Sequence, residues 1–131
     1  MSTADRSYPF SSQRGAPHRP PEVDEFVDSF LQTVCDTSRR YILELLAMPN
    51  EESSAAMPEM RSGDIAKAIG LSAATTSEHL RQLASAGLVV SRRDGNTVYY
   101  RLCNHMLVKA FQDLLIALDG DYALRSQKKK K

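Results

Sequence analysis

Tryptophan is absent from this 131-residue chain, cysteine occurs only twice, and positive charge is in excess by a single unit. Two cysteines are too few for a disulfide framework. In a cytosolic protein both would be reduced, leaving each as core filler or as chemistry. No apolar run approaches the ~18 residues of a membrane helix, so no membrane partner is expected. The first residues lack the apolar core of a secretory signal, and the expected location is the cytoplasm. A nucleophile elbow, a glycine-rich phosphate loop and carboxylates paired at helical spacing are also missing. The histidines are His18, His79 and His105 alone, and the core is too small to suggest an apolar pocket ringed by them. An enzyme is therefore not expected. What remains is 14.6 kDa of globular composition, 42% hydrophobic and 25% charged. That suits one domain burying very roughly two-thirds of its unfolded surface.

The small net charge hides an uneven distribution. From Glu22 to Asp121 nine basic residues face fifteen acidic ones. Within that acidic frame, residues 61–101 hold six basic groups (Arg61, Lys67, Arg81, Arg92, Arg93, Arg101) against Asp64, Glu78 and Asp94. Local sign governs phosphate binding more than the total does. On charge alone, an ordinary solvated surface with uneven charge is the favoured reading.

Residues 1–21 hold Pro9, Pro17, Pro20 and Pro21 with few apolar groups and are read as a disordered, mildly basic arm. Residues 22–124 are read as the folded domain and 125–131 as a lysine-rich tail. Five helical patterns follow the arm. Val23, Phe26, Val27, Phe30, Leu31 and Val34 share one face of the first. Asp36 or Thr37 caps a second, carrying Ile42, Leu45 and Leu46 inward. Residues 49–60 read as loop. Ser62 is expected to cap a short third helix ended by Gly70, and Ser72 a fourth, with Thr76, Leu80, Leu83 and Ala84 inward. A last helix starts near Asn104, with Leu107, Phe111, Leu114 and Leu118 on one stripe. Leu88–Arg93 and Thr97–Leu102 flank Asp94-Gly95-Asn96, a hairpin signal.

The third helix, the Gly70-Leu71-Ser72 turn, the capped fourth helix and the charged hairpin spell a winged helix-turn-helix. The fold class is mainly α, with about five helices and a two-stranded wing. Small polar residues at the start of the fourth helix let its backbone enter a major groove. Its outward residues are Ala74, Thr75, Ser77, Glu78 and Arg81. Ser72, Thr75 and Ser77 suit phosphate or base edges, Arg81 a phosphate or guanine, and Glu78 a cytosine amino group. The hairpin brings Arg92, Arg93, Asn96 and Thr97 to a second contact. The partner so implied is double-stranded DNA. A protein-interaction winged helix is the alternative, which Glu78 favours and the arginines oppose.

Five stretches in order carry a family resemblance: Ser38–Leu46, Gly63–Ser72, Ser77–Leu83, Ala86–Val89 and Arg92–Leu102. Together they resemble the ArsR/SmtB family of bacterial winged-helix repressors, across about residues 23–119. The resemblance implies a homodimer held by the first and last helices on a palindromic operator, released by an inducer that is often a metal ion or a redox event. Phe26, Phe30, Phe111, Leu115 and Tyr122 are the expected interface. They carry more apolar surface than two end helices can bury in one small core, although without the resemblance the two helices packing on each other is an equally open reading.

The chain departs from the family at its metal positions. Where arsenic and zinc sensors carry cysteines before the third helix, it has Arg61 and Ser62. Where zinc sensors carry ligands on the last helix, it has Asn104, Met106, Ala117 and Gly120. A standard zinc site is not expected, and no metal ligand is assigned. Cys35 and Cys103 remain as candidate sensing thiols, since each precedes a helix N-terminus and Arg39 and Arg40 follow Cys35 by a turn. Thiol oxidation or a thiophilic metal or metalloid shared by Cys35 and Cys103 would be the switch. Two small buried hydrophobes, in a repressor with another inducer or none, are the alternative.

Overall fold

The computed structural model describes residues 15–48 and 58–129. Residues 1–14 of the expected arm, most of the expected loop and the last two lysines lie outside the described residues. The chain divides into two compact units, Met1–Gln32 and Thr33–Lys131.

Helix α1 spans Pro21–Val34. Pro21 opens it without loss, because the first helical N–H has no partner in any case. The Pro20 carbonyl accepts from Val23 and Asp24, and Glu22 and Asp24 place negative charge at the positive end of the helix. Its apolar residues Phe26, Val27 and Leu31 are exposed.

In the second unit α2 spans Thr37–Ala47, and Asp36 is its cap: the carboxylate accepts from the Arg39 amide at 3.0 Å. It buries Ile42, Leu43 and Leu46. Leu43 thus takes the inward place expected of Leu45, which is half-buried. Helix α3 is Ser62–Ile69 and α4 is Ala73–Ser85. Gly70 joins them at φ 82°, a left-handed conformation that side chains with a Cβ resist. Its N–H and that of Leu71 both reach the Ala66 carbonyl, closing the last turn of α3. Ser72 caps α4 as expected, accepting from the Thr75 amide at 3.1 Å.

Ser62 is the first residue of α3 rather than its cap; Arg61 holds that place and makes no side-chain cap bond. Ala84 is exposed, while Thr76, Leu80 and Leu83 are buried as expected. The expected two-stranded wing is part of a three-stranded sheet. Strands β2 (Val89–Asp94) and β3 (Thr97–Leu102) form the hairpin, and β1 (Met60–Arg61) adds to the free edge of β3, giving the order β1-β3-β2. Two residues are too few for any periodicity; the strand exists because Met60 and Arg61 find Tyr100 and Tyr99 as partners. That pairing makes Arg61 the last extended residue and moves the start of α3.

The hairpin is in register from Val89↔Leu102 to Asp94↔Thr97. Gly95 alone of its two loop residues has positive φ (64°), the pattern of a II′ turn. Ile42, Ile65, Leu80, Leu83, Leu88 and Val89 are sealed in the core. Helix α5, His105–Lys129, is 25 residues and about 37 Å long. It runs through Arg125–Lys129, the start of the segment set apart as a tail. Asn104 precedes it in a left-handed conformation and accepts from the Leu107 amide at 3.3 Å.

Candidate nucleic-acid interface

The outer face of α4 follows from its inner one. With Thr76, Leu80 and Leu83 in the core, helical spacing turns Ala74, Thr75, Ser77, Glu78 and Arg81 to solvent, and all five are exposed. Ser72 and Thr75 are linked hydroxyl to hydroxyl at 3.0 Å. Glu78 and Arg81 form a two-point pair at 2.6 and 3.1 Å, and Gln82 adds a third donor to the same carboxylate at 2.9 Å. Hydrogen bonds from Arg81 and then Gln82 hold the Glu78 carboxyl at about 2, with the positive charges of Arg81 and Arg39 helping. The outer face therefore carries a zwitterionic dyad, not a bare cation.

A second network fixes the back of α4. The Arg39 guanidinium donates to His79 Nδ1 at 3.2 Å and to the Thr33 carbonyl at 3.0 Å. His79 is thereby a structural acceptor on α4. Arg40 reaches Thr37 Oγ1 at 3.4 Å.

On the wing, Arg93 and Asn96 are exposed and Thr97 is half-buried. Arg93 has no ion pair among the described residues. Arg92 differs. Its guanidinium lies over the Tyr99 ring, 4.6 Å from the centroid, and donates twice to Glu59, at 2.8 and 3.1 Å. The Arg92 hydrogen bond, then the charges of Arg92 and Arg101, lower the Glu59 carboxyl below its ordinary value. Glu59, Tyr99 and Gln82 were missed by the sequence reading. Glu78 and Gln82 stand at helical spacing and were open to discovery; Glu59 and Arg92 lie 33 positions apart and share no local pattern.

Cys35 is exposed and Cys103 half-buried, both as free thiols. Cys103 Sγ donates to the Gly87 carbonyl at 3.2 Å, tying the end of β3 to the turn between α4 and β2. Among the described residues no group of three or more His, Cys, Asp or Glu could hold a metal ion. Of the expected interface residues, Phe26 is 69% and Tyr122 72% exposed, while Phe30, Phe111 and Leu115 are half-buried. Leu114, Ile116, Leu118 and Leu124 add further exposed apolar surface to α5.

Residues 36–91, from the cap of α2 to the first half of β2, match the family model described as bacterial regulatory protein, arsR family. Nodulation protein NolR of Rhizobium meliloti is 32% identical over 93 residues, 69% of either chain. The chain belongs to the arsR family of bacterial regulatory proteins. Membership in a family of regulators, not of enzymes, agrees with the missing catalytic constellations. A cadmium resistance transcriptional regulatory protein, CadC of Listeria innocua, is 36% identical over 78 residues, 60% of this chain and 59% of that one. Among solved structures, a homodimeric winged helix-turn-helix DNA-binding domain from Mycobacterium bovis superposes with a TM-score of 0.67 at 27% identity, covering 84% of this chain and 94% of that one. The arsR-family winged helix-turn-helix is thus the fold expected from sequence. None of the described helices is long and apolar enough to cross a membrane.

Proposed function

We propose that this chain is a transcriptional repressor that binds a palindromic DNA operator as a homodimer in the bacterial cytoplasm. The outer face of α4 carries the reading. A helix anchored by its apolar side and capped by Ser72 presents Ala74, Thr75, Ser77, Glu78 and Arg81 to solvent, the arrangement a major groove accepts. Arg92, Arg93, Asn96 and Thr97 supply the wing contact. Residues 22–124 form the binding and dimerisation region, to which α5 adds Arg125–Lys129. Phe26, Phe30, Phe111, Leu115 and Tyr122 form the dimer seam. The homodimeric state of the Mycobacterium bovis domain supports that assignment, and so does the apolar surface left open on α5.

Release of the operator runs through Cys35 and Cys103. Cys103 holds the turn at the end of the recognition helix by a hydrogen bond that only the protonated thiol donates, so oxidation removes a restraint on α4. A thiophilic ion is the second inducer class, in keeping with the cadmium named for CadC. Oxidation fits better, because two thiols alone make a poor cage and the described residues offer no third donor group.

Fluorescence anisotropy with genomic DNA fragments, reduced and oxidised, at two salt concentrations, tests both parts. Sequence-selective binding that falls steeply with salt is expected, as phosphate neutralisation requires, and oxidation should abolish it. Binding that survives oxidation retires the thiol switch. Absence of selective binding under every condition retires the repressor and favours a protein-interaction module.

A further inference from the structure

Arg92 is already occupied. Its guanidinium is clamped from one side by the Glu59 carboxylate and from below by the Tyr99 ring. Backbone pairing holds Tyr99 itself and the strand that Glu59 leads into. Tyr99 is the register partner of Arg92 on β2 and of Arg61 on β1, and Glu59 directly precedes β1. The Glu59 side chain is 24% exposed and that of Arg92 52%, so the carboxylate is the more buried member of the pair and the cation the more exposed. Neighbouring Arg93 is exposed and has no ion pair among the described residues.

From this juxtaposition we infer that Glu59 is a built-in counter-charge that keeps Arg92 of the wing from neutralising a DNA phosphate, and so lowers affinity for DNA of any sequence. The inference rests on the DNA-binding reading above. Non-specific affinity is almost wholly phosphate electrostatics, whereas operator affinity also draws on base contacts. Each arginine that neutralises a phosphate releases condensed counterions and steepens the salt dependence. An arginine that keeps its own carboxylate adds orientation without adding that term. Glu59 therefore subtracts the same increment from binding to any sequence, operator or not. The Glu78–Arg81 pair lies within one helix face and carries no such separation between strands.

The test is the Glu59→Gln variant of the full chain, with operator and with random-sequence DNA, over a salt series. E59Q is expected to bind random DNA and the operator more tightly by about the same severalfold factor. Its log K against log salt should steepen by about 0.9, the increment for one further phosphate. Adding R92A to E59Q should remove both gains. A merely structural Glu59 would give the opposite sign: weaker binding, with a lowered thermal midpoint. An unchanged slope, or a loss of affinity, in an E59Q that unfolds at the wild-type midpoint overturns the inference while leaving the repressor reading standing. Failure of the wild-type protein to bind any DNA overturns the repressor reading and this inference with it.

Discussion

Thr76 sits in the wrong company. It is 1% exposed, on the inner face of α4 among Leu80 and Leu83, and its hydroxyl has no hydrogen-bond partner among the described residues. A buried, unsatisfied hydroxyl costs about 1–3 kcal/mol. Thr76→Val keeps the shape and removes the polar atom, so urea unfolding should show a gain of about 1 kcal/mol. Glu78 offers a second residue-scale prediction. Its carboxyl is held at about 2 against an ordinary 4.5 by Arg81 and Gln82. A depressed folded-state value stabilises the fold above the unfolded value and loses that contribution as pH falls from 4.5 toward 2. An NMR titration should place the Glu78 midpoint near 2, and Arg81→Ala should move it upward.

Elements show where the sequence was readable. Caps are chemical signals, and Asp36 and Ser72 both do what their side chains predict. The in-and-out pattern of α4 was legible because helical periodicity over 13 residues leaves little choice. The exception is Ala84, one residue from the helix end, where a small side chain beyond Leu83 has little to bury against. Strand β1 and the Glu59–Arg92 pair were not legible, since both depend on partners about 33 to 40 positions away that meet only once the sheet has formed. Gly70 is the element-scale test. At φ 82° an alanine adopts a conformation costing roughly 1–2 kcal/mol, although its Cβ would meet nothing within 4 Å. Gly70→Ala should lower stability by about that amount in denaturant unfolding, and should weaken operator binding because the turn aims α4.

For the whole molecule the decisive feature is α5. Val108 is the one buried residue of α5 among those described, too little to hold so long a helix, and Leu114, Leu118 and Tyr122 stand open on the stripe that contains half-buried Phe111 and Leu115. Single exposed apolar residues are ordinary, but a contiguous stripe is an interface waiting for cover. Leu118→Asp, placed in that stripe, should convert a dimer to a monomer in sedimentation and lower operator affinity at least tenfold, with the second unit still folded by circular dichroism. A dimeric L118D would move the seam elsewhere.

The same open stripe bears on how a cell would count this protein. If pairing through α5 precedes DNA binding, occupancy of the operator scales with the square of the monomer concentration when copies are few. Halving expression would then cut the active species about fourfold. A dividing cell that shares its copies unequally would hand its daughters different states of the regulated gene, and the strength of the α5 seam would set the copy number at which that divergence fades.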